Sequence, residues 1–157
     1  DFLSFAFLPC IAFGVFGLFP PGWEWFATVP IMASGYGFCQ EKAKTDDAFV
    51  GFPSYWNIVL LYLFLFELNP WINLAVVGIL AVMVFVPIHY IYPTRTQLFR
   101  GVTMITCTFW GVSLLVLSIW SNETWTPMLV WASLTFPVYY LILSVVHHTR
   151  VHRSISA

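Results

Sequence analysis

The residues with the richest chemistry lie between Gln40 and Asn57. In a chain of 157 residues of which 8% are charged, this one connection carries Glu41, Lys42, Lys44, Asp46 and Asp47, with long apolar runs on both sides. It then passes into Gly51-Phe52-Pro53-Ser54-Tyr55-Trp56-Asn57, which joins turn formers to aromatic rings and a carboxamide, a mixture suited to a binding site. Read without function, the same stretch is a solvated loop between membrane helices with an aromatic anchor. Asp1 stands immediately before an apolar run, where a carboxylate serves either as a general base or as a charge that complements a helix N-terminus. Arg95 and Arg100 follow Pro93 and offer planar donor forks for phosphate oxygens, or positive charge for anionic lipid headgroups. His148 and His152 are spaced four apart, which puts two imidazoles on one helix face as metal ligands require, but Arg150 and Arg153 beside them favour a basic interfacial tail. His89 sits in an otherwise apolar run and suits hydrogen-bonded packing better than chemistry.

The elements that must position these residues are membrane helices. Hydrophobic residues make up 60% of the chain and aromatics 20%, with a mean hydropathy of +0.84, outside the range of soluble domains. A net charge of -1 excludes a nucleic-acid partner, because nothing here neutralises a run of phosphates. Cys10, Cys39 and Cys107 all lie in apolar runs without metal or disulfide spacing and read as small core hydrophobes. Asp1 has no basic segment before the first apolar run, so that run is not a signal peptide, and the sequence is expected to begin partway through a longer protein.

Six apolar runs follow, at about residues 2–19, 25–39, 55–68, 71–92, 99–120 and 125–146. Pro20-Pro21-Gly22, Asn69-Pro70, Pro93 and Ser121-Asn122-Glu123-Thr124 separate or close them. The six basic residues Lys42, Lys44, Arg95, Arg100, Arg150 and Arg153 occupy the second connection, the fourth connection and the C-terminal tail. These regions share one side if every run crosses, so the positive-inside rule favours an all-α, polytopic bundle of about six spans with its basic loops cytoplasmic. Trp23, Trp25, Trp71, Trp120 and Trp125 then form an interfacial belt on the other side, where Asn122-Glu123-Thr124 also fits a glycosylation pattern. No repeat or linker divides the chain, which is expected to form one transmembrane helical domain over residues 1–157.

Glu41-x-Ala43-Lys44-Thr45-Asp46-Asp47, Gly51-Phe52-Pro53-Ser54-Tyr55-Trp56-Asn57 and Val84-Phe85-Val86-Pro87-Ile88-His89-Tyr90-Ile91-Tyr92-Pro93 resemble the bacterial phosphatidylcholine synthases of the CDP-alcohol phosphotransferase family, a likeness that runs from Asp1 to about Arg100. The resemblance implies transfer of a phosphatidyl group from CDP-diacylglycerol to choline with release of CMP, in the bacterial inner membrane, with Mn2+ or Mg2+. It is compatible with a homodimer. Asp1-Phe2-Leu3-Ser4-Phe5-Ala6-Phe7-Leu8-Pro9 resembles the surroundings of the last aspartate of the family signature, which implies a general base at Asp1. The rest of the signature is absent, so the metal ligands are expected before residue 1, none within this chain, and the fragment alone is expected to be inactive. For choline the resemblance implies a cage of Tyr55 and Trp56, closed by Tyr36 or Tyr90, with Asp46 or Asp47 offsetting the trimethylammonium charge. For the CDP-diacylglycerol phosphates it leaves Arg95 and Arg100. Two alternatives stay open: the same transfer to serine or inositol, and a non-catalytic membrane module that binds a quaternary amine. In the bland reading Tyr55 and Trp56 are belt aromatics and the aspartates pair with Lys42 and Lys44.

Overall fold

The computed structural model describes residues 1–40, 48–91, 99–120 and 124–155, and it is mostly helical. Expected site residues Asp46, Asp47 and Arg95 lie outside the described residues, as do Asn122 and Glu123 and the side chains of His148 and His152. The chain divides into two compact units, Asp1–Ala43 with Val50–Pro87 and Lys44–Phe49 with Ile88–Ala157.

The first unit begins with a wide, π-helical turn, Leu3–Phe7, that leads into α1, Leu8–Val15. Pro9 explains the widening. It has no N–H for the carbonyl of Phe5 and its ring crowds that carbonyl, so the preceding turn opens and the Leu8 N–H reaches back five residues to Leu3. A short 3₁₀ turn, Glu24–Ala27, precedes α2, Thr28–Cys39. α3 covers Trp56–Phe66, and α4 covers Pro70–Met83, with Pro70 at its first position and the Asn69 side chain accepting the Trp71 N–H at 2.9 Å. Ala6, Cys10, Phe13, Trp56, Val77 and Ala81 meet at the centre of this unit. Asn73, 1% exposed, donates its amide to the Leu18 carbonyl at 3.0 Å and so ties α4 to the chain beyond α1. At the same end Trp23 meets Trp25 and Trp71, ring centroids 5.6 and 5.7 Å apart.

In the second unit α5, α6 and α7 cover Arg100–Ile119, Thr126–Ser133 and Thr135–Ile155. A two-stranded sheet pairs β1, Ala48–Val50, with β2, His89–Ile91, and β2 lies against α7, where the Ile91 N–H donates to Ser144 Oγ at 3.2 Å. Thr103 and Tyr139 join α5 to α7 through a 2.8 Å hydrogen bond. The hydroxyls of Thr108, Ser113 and Ser118 bond to carbonyls four residues back in α5, which satisfies them without water, as an apolar solvent demands.

Arg100–Ile119 and Thr126–His147 are long and apolar enough to cross a membrane, the first being 20 residues or about 30 Å. The apolar helices Leu3–Val15, Trp56–Phe66 and Pro70–Met83 are shorter. The fourth run differs most from expectation: α4 stops at Met83, and residues 89–91, read as the end of a helix, form a strand. Pro87 disfavours helical geometry at Val86 and denies a donor to the turn before it.

Candidate functional site

One end of the first unit collects several of the residues singled out in the sequence. The wide turn after Asp1 packs on the start of α3 and on the end of α2: Phe5 meets Tyr55 edge-on at 6.2 Å and Phe2 meets Phe38 at 5.6 Å between ring centroids. Asp1 is exposed, and its carbonyl accepts the Phe5 N–H at 2.9 Å and the Ser4 hydroxyl at 3.3 Å, which fixes its backbone to the helix that follows. Tyr36, 49% exposed, lies at this end too, its ring 4.9 Å from that of Phe85.

The turn that delivers Tyr55 is held from behind. Gly51, at φ 83°, passes so close to the end of α4 that a Cβ there would stand 2.3 Å from the Val84 carbonyl oxygen, and the next N–H, of Phe52, donates to Met83 O at 3.0 Å. Ser54 is buried and also has positive φ, 56°. Trp56 then enters the core with no exposed surface. Its Nε1–H donates to Ser34 Oγ at 2.6 Å, and its ring meets Phe13 and Phe52 edge-on at 6.3 and 5.3 Å.

The structure therefore brings Asp1, Tyr36 and Tyr55 to one end of the first unit and places Trp56 in the core, where its ring braces the turn. Tyr90 belongs to the second unit. It is buried and stacked on Tyr140, ring centroids 6.2 Å apart. Arg100 is exposed at the first position of α5, also in the second unit. Among the described residues no group of three or more His, Cys, Asp or Glu side chains stands close enough to hold a metal ion.

Sequence reasoning took Asn57 as the carboxamide of a mixture suited to a binding site and gave it no ligand of its own. Its Oδ1 is buried without a hydrogen-bond partner among the described residues. The only signal was a carboxamide directly after the Tyr55-Trp56 pair.

No protein-family model matches the chain, and no solved structure matches it. Curated relatives do. The chain is 41% identical over 98 residues to a phosphatidylcholine synthase of Legionella bozemanae, covering 60% of this chain and 45% of that protein. With the phosphatidylcholine synthase of Legionella pneumophila it shares 33% identity over 160 aligned positions, 92% of this chain and 60% of the relative. The chain is a homologue of the bacterial phosphatidylcholine synthases. A phosphatidylcholine synthase of Pseudomonas aeruginosa gives 33% over 115 residues, 72% of this chain and 48% of that synthase. The chain thus spans about half the length of the phosphatidylcholine synthases it matches. Because the L. pneumophila match covers 92% of the chain, most of both units has a counterpart in that synthase.

Proposed function

We propose that this chain carries the acceptor side of a membrane enzyme that transfers the phosphatidyl group of CDP-diacylglycerol to choline, giving phosphatidylcholine and CMP. The observation that carries this reading is the kinship with phosphatidylcholine synthases at 33% identity across 92% of the chain. In the transfer, the choline oxygen bonds to the phosphorus that bears the diacylglycerol. The bond from that phosphorus to the bridging oxygen breaks, CMP leaves with the electron pair, and the hydroxyl proton passes to Asp1. A carboxylate suits that role because it is ionised at neutral pH and needs only hydrogen-bond reach of the hydroxyl. Packing of Phe5 on Tyr55 supports the assignment, since it sets the turn bearing Asp1 against the aromatic start of α3. Tyr36 and Tyr55 supply ring faces for the trimethylammonium, which has no N–H to donate. Arg95 and Arg100 are assigned to the diphosphate.

The deciding assay supplies the intact enzyme with CDP-diacylglycerol, Mn2+ or Mg2+, and choline, serine or inositol in parallel. Phosphatidylcholine formation supports the proposal; product from serine or inositol alone moves the acceptor, and no product leaves an amine-binding module. Asp1→Asn keeps shape and removes basicity, so turnover is expected to fall by at least about 100-fold while membrane insertion is unchanged. Near-normal turnover would reduce Asp1 to a helix-start charge.

We further propose that all six apolar runs cross the bacterial inner membrane with Lys42, Arg95 and Arg150 on the cytoplasmic side. Single cysteines placed beside each are expected to react with a membrane-impermeant maleimide only after the membrane is opened. Labelling beside Arg95 in intact cells refutes this arrangement.

A further inference from the structure

We infer that Asn57 is a substrate-binding residue whose side-chain oxygen accepts a hydrogen bond from a neutral donor of a substrate, an inference that rests on the function proposed above. Asn57 is the second residue of α3, and its Oδ1 is shut off from solvent with no hydrogen-bond partner among the described residues. An acceptor buried in this way has given up water for nothing unless a ligand meets it, so it marks either a fault in packing or a binding group.

The surroundings favour the second. Asn57 does not spend its oxygen on capping the helix, because Oδ1 accepts no hydrogen bond from a described residue. The residues before it are fixed, with Trp56 locked to Ser34 through its indole and Ser54 buried at positive φ. Tyr55, two residues away, meets Phe5 of the turn that begins after Asp1. The acceptor is therefore presented from a rigid frame at the end of the unit where the acceptor chemistry is assigned, which is the preorganisation a specific site requires. Asn73 Oδ1 is also unpartnered among the described residues, but that side chain already has a fold role through its amide bond to Leu18.

The chemistry of the group limits its ligand. An amide oxygen needs a donor: choline has one, its hydroxyl, which would turn from Asn57 to Asp1 before the transfer, and CDP-diacylglycerol offers the ribose hydroxyls and the base amine. Both sources present the same neutral donor chemistry, and kinetics separate them.

The test compares the intact wild-type enzyme with Asn57→Leu and Asn57→Asp in mixed micelles, measuring KM for choline, KM for CDP-diacylglycerol and the melting midpoint. Leucine removes an acceptor that no described residue uses, so the midpoint of Asn57→Leu is expected to stay at or above wild type while one KM rises about tenfold. A rise for choline assigns the oxygen to the acceptor, and a rise for CDP-diacylglycerol assigns it to the nucleotide. Asn57→Asp keeps an oxygen in place and is expected to stay within about threefold of wild type in both. The inference is overturned if Asn57→Leu leaves both KM values unchanged, if Asn57→Asp is as impaired as Asn57→Leu, or if Asn57→Leu is too unstable to purify, which would assign the side chain to the fold. A wild-type enzyme that makes no phosphatidylcholine from these substrates refutes the proposed function itself, and this inference with it.

Discussion

Trp56→Ala is expected to destabilise the first unit by about 3 to 5 kcal/mol, a large part of the whole stability of an ordinary domain. The indole has no exposed surface and meets Phe13 and Phe52, so truncation leaves a cavity at the centre of the unit. In a membrane the loss arises less from transfer out of water than from dispersion contacts forfeited on the cavity wall. It also strands Ser34 Oγ, which receives the indole N–H at 2.6 Å. Trp56→Phe separates the two effects: it keeps most of the ring bulk, leaves the serine unpaired, and is expected to cost about 1 to 3 kcal/mol. Thermal unfolding in detergent, with recovery of monodisperse protein, measures both. An unchanged midpoint in Trp56→Ala accompanied by a selective loss of the proposed transfer to choline would instead make the indole a ligand face.

Gly51→Ala is expected to abolish the native turn. The backbone at Gly51 is left-handed, which costs a residue bearing a Cβ about 1 to 2 kcal/mol, and the added carbon would stand 2.3 Å from the Val84 carbonyl oxygen and 3.3 Å from the Val84 carbonyl carbon. Those are backbone atoms at the end of α4, so no rotamer change relieves the overlap, and moving the turn away breaks the bond from Phe52 N to Met83 O. Overpacking adds about 1 to 3 kcal/mol. The combined effect is a drop in folded yield together with loss of the proposed phosphatidyl transfer. Gly51→Asn provides the control. Asparagine tolerates positive φ but still carries a Cβ, so it is not expected to rescue; recovery in Gly51→Asn would attribute the whole effect to the dihedral and none to the contact with α4.

The positions of the helices were legible because apolar runs and their Pro and Gly boundaries are local signals. Asn69-Pro70 starts α4 as those residue types suggest, since Pro at the first helical position gives up only an N–H that has no partner there. The end of α4 was misjudged for a related reason. The mostly apolar run continues past Met83 to Ile91, and only Pro87 and the β-favouring Tyr90-Ile91 signal the change to a strand. The candidate site was legible as a neighbourhood but not residue by residue. That Phe5 meets Tyr55 and that Ser34 receives the Trp56 N–H depends on pairs 50 and 22 residues apart, which no window on the sequence reports. Asn57 was hidden for the opposite reason: its interest lies in a bond it does not make with any described residue, and composition cannot show an unmet acceptor.

The wide turn at Leu3–Phe7 works as an angular adjuster. A turn closed over five residues instead of four takes up one extra residue, and so rotates what precedes it by about 100° around the helix axis relative to an unbroken α-helix. Ala6, Cys10 and Phe13 must face the core, a demand that fixes the azimuth of α1. In a regular helix that same demand would also dictate the direction of Asp1. By slipping the register ahead of Pro9, the chain lets the bearing of its first carboxylate be set independently of the face it buries. The proline then serves as a clutch between the part of the helix that packs and the part that presents a charged group.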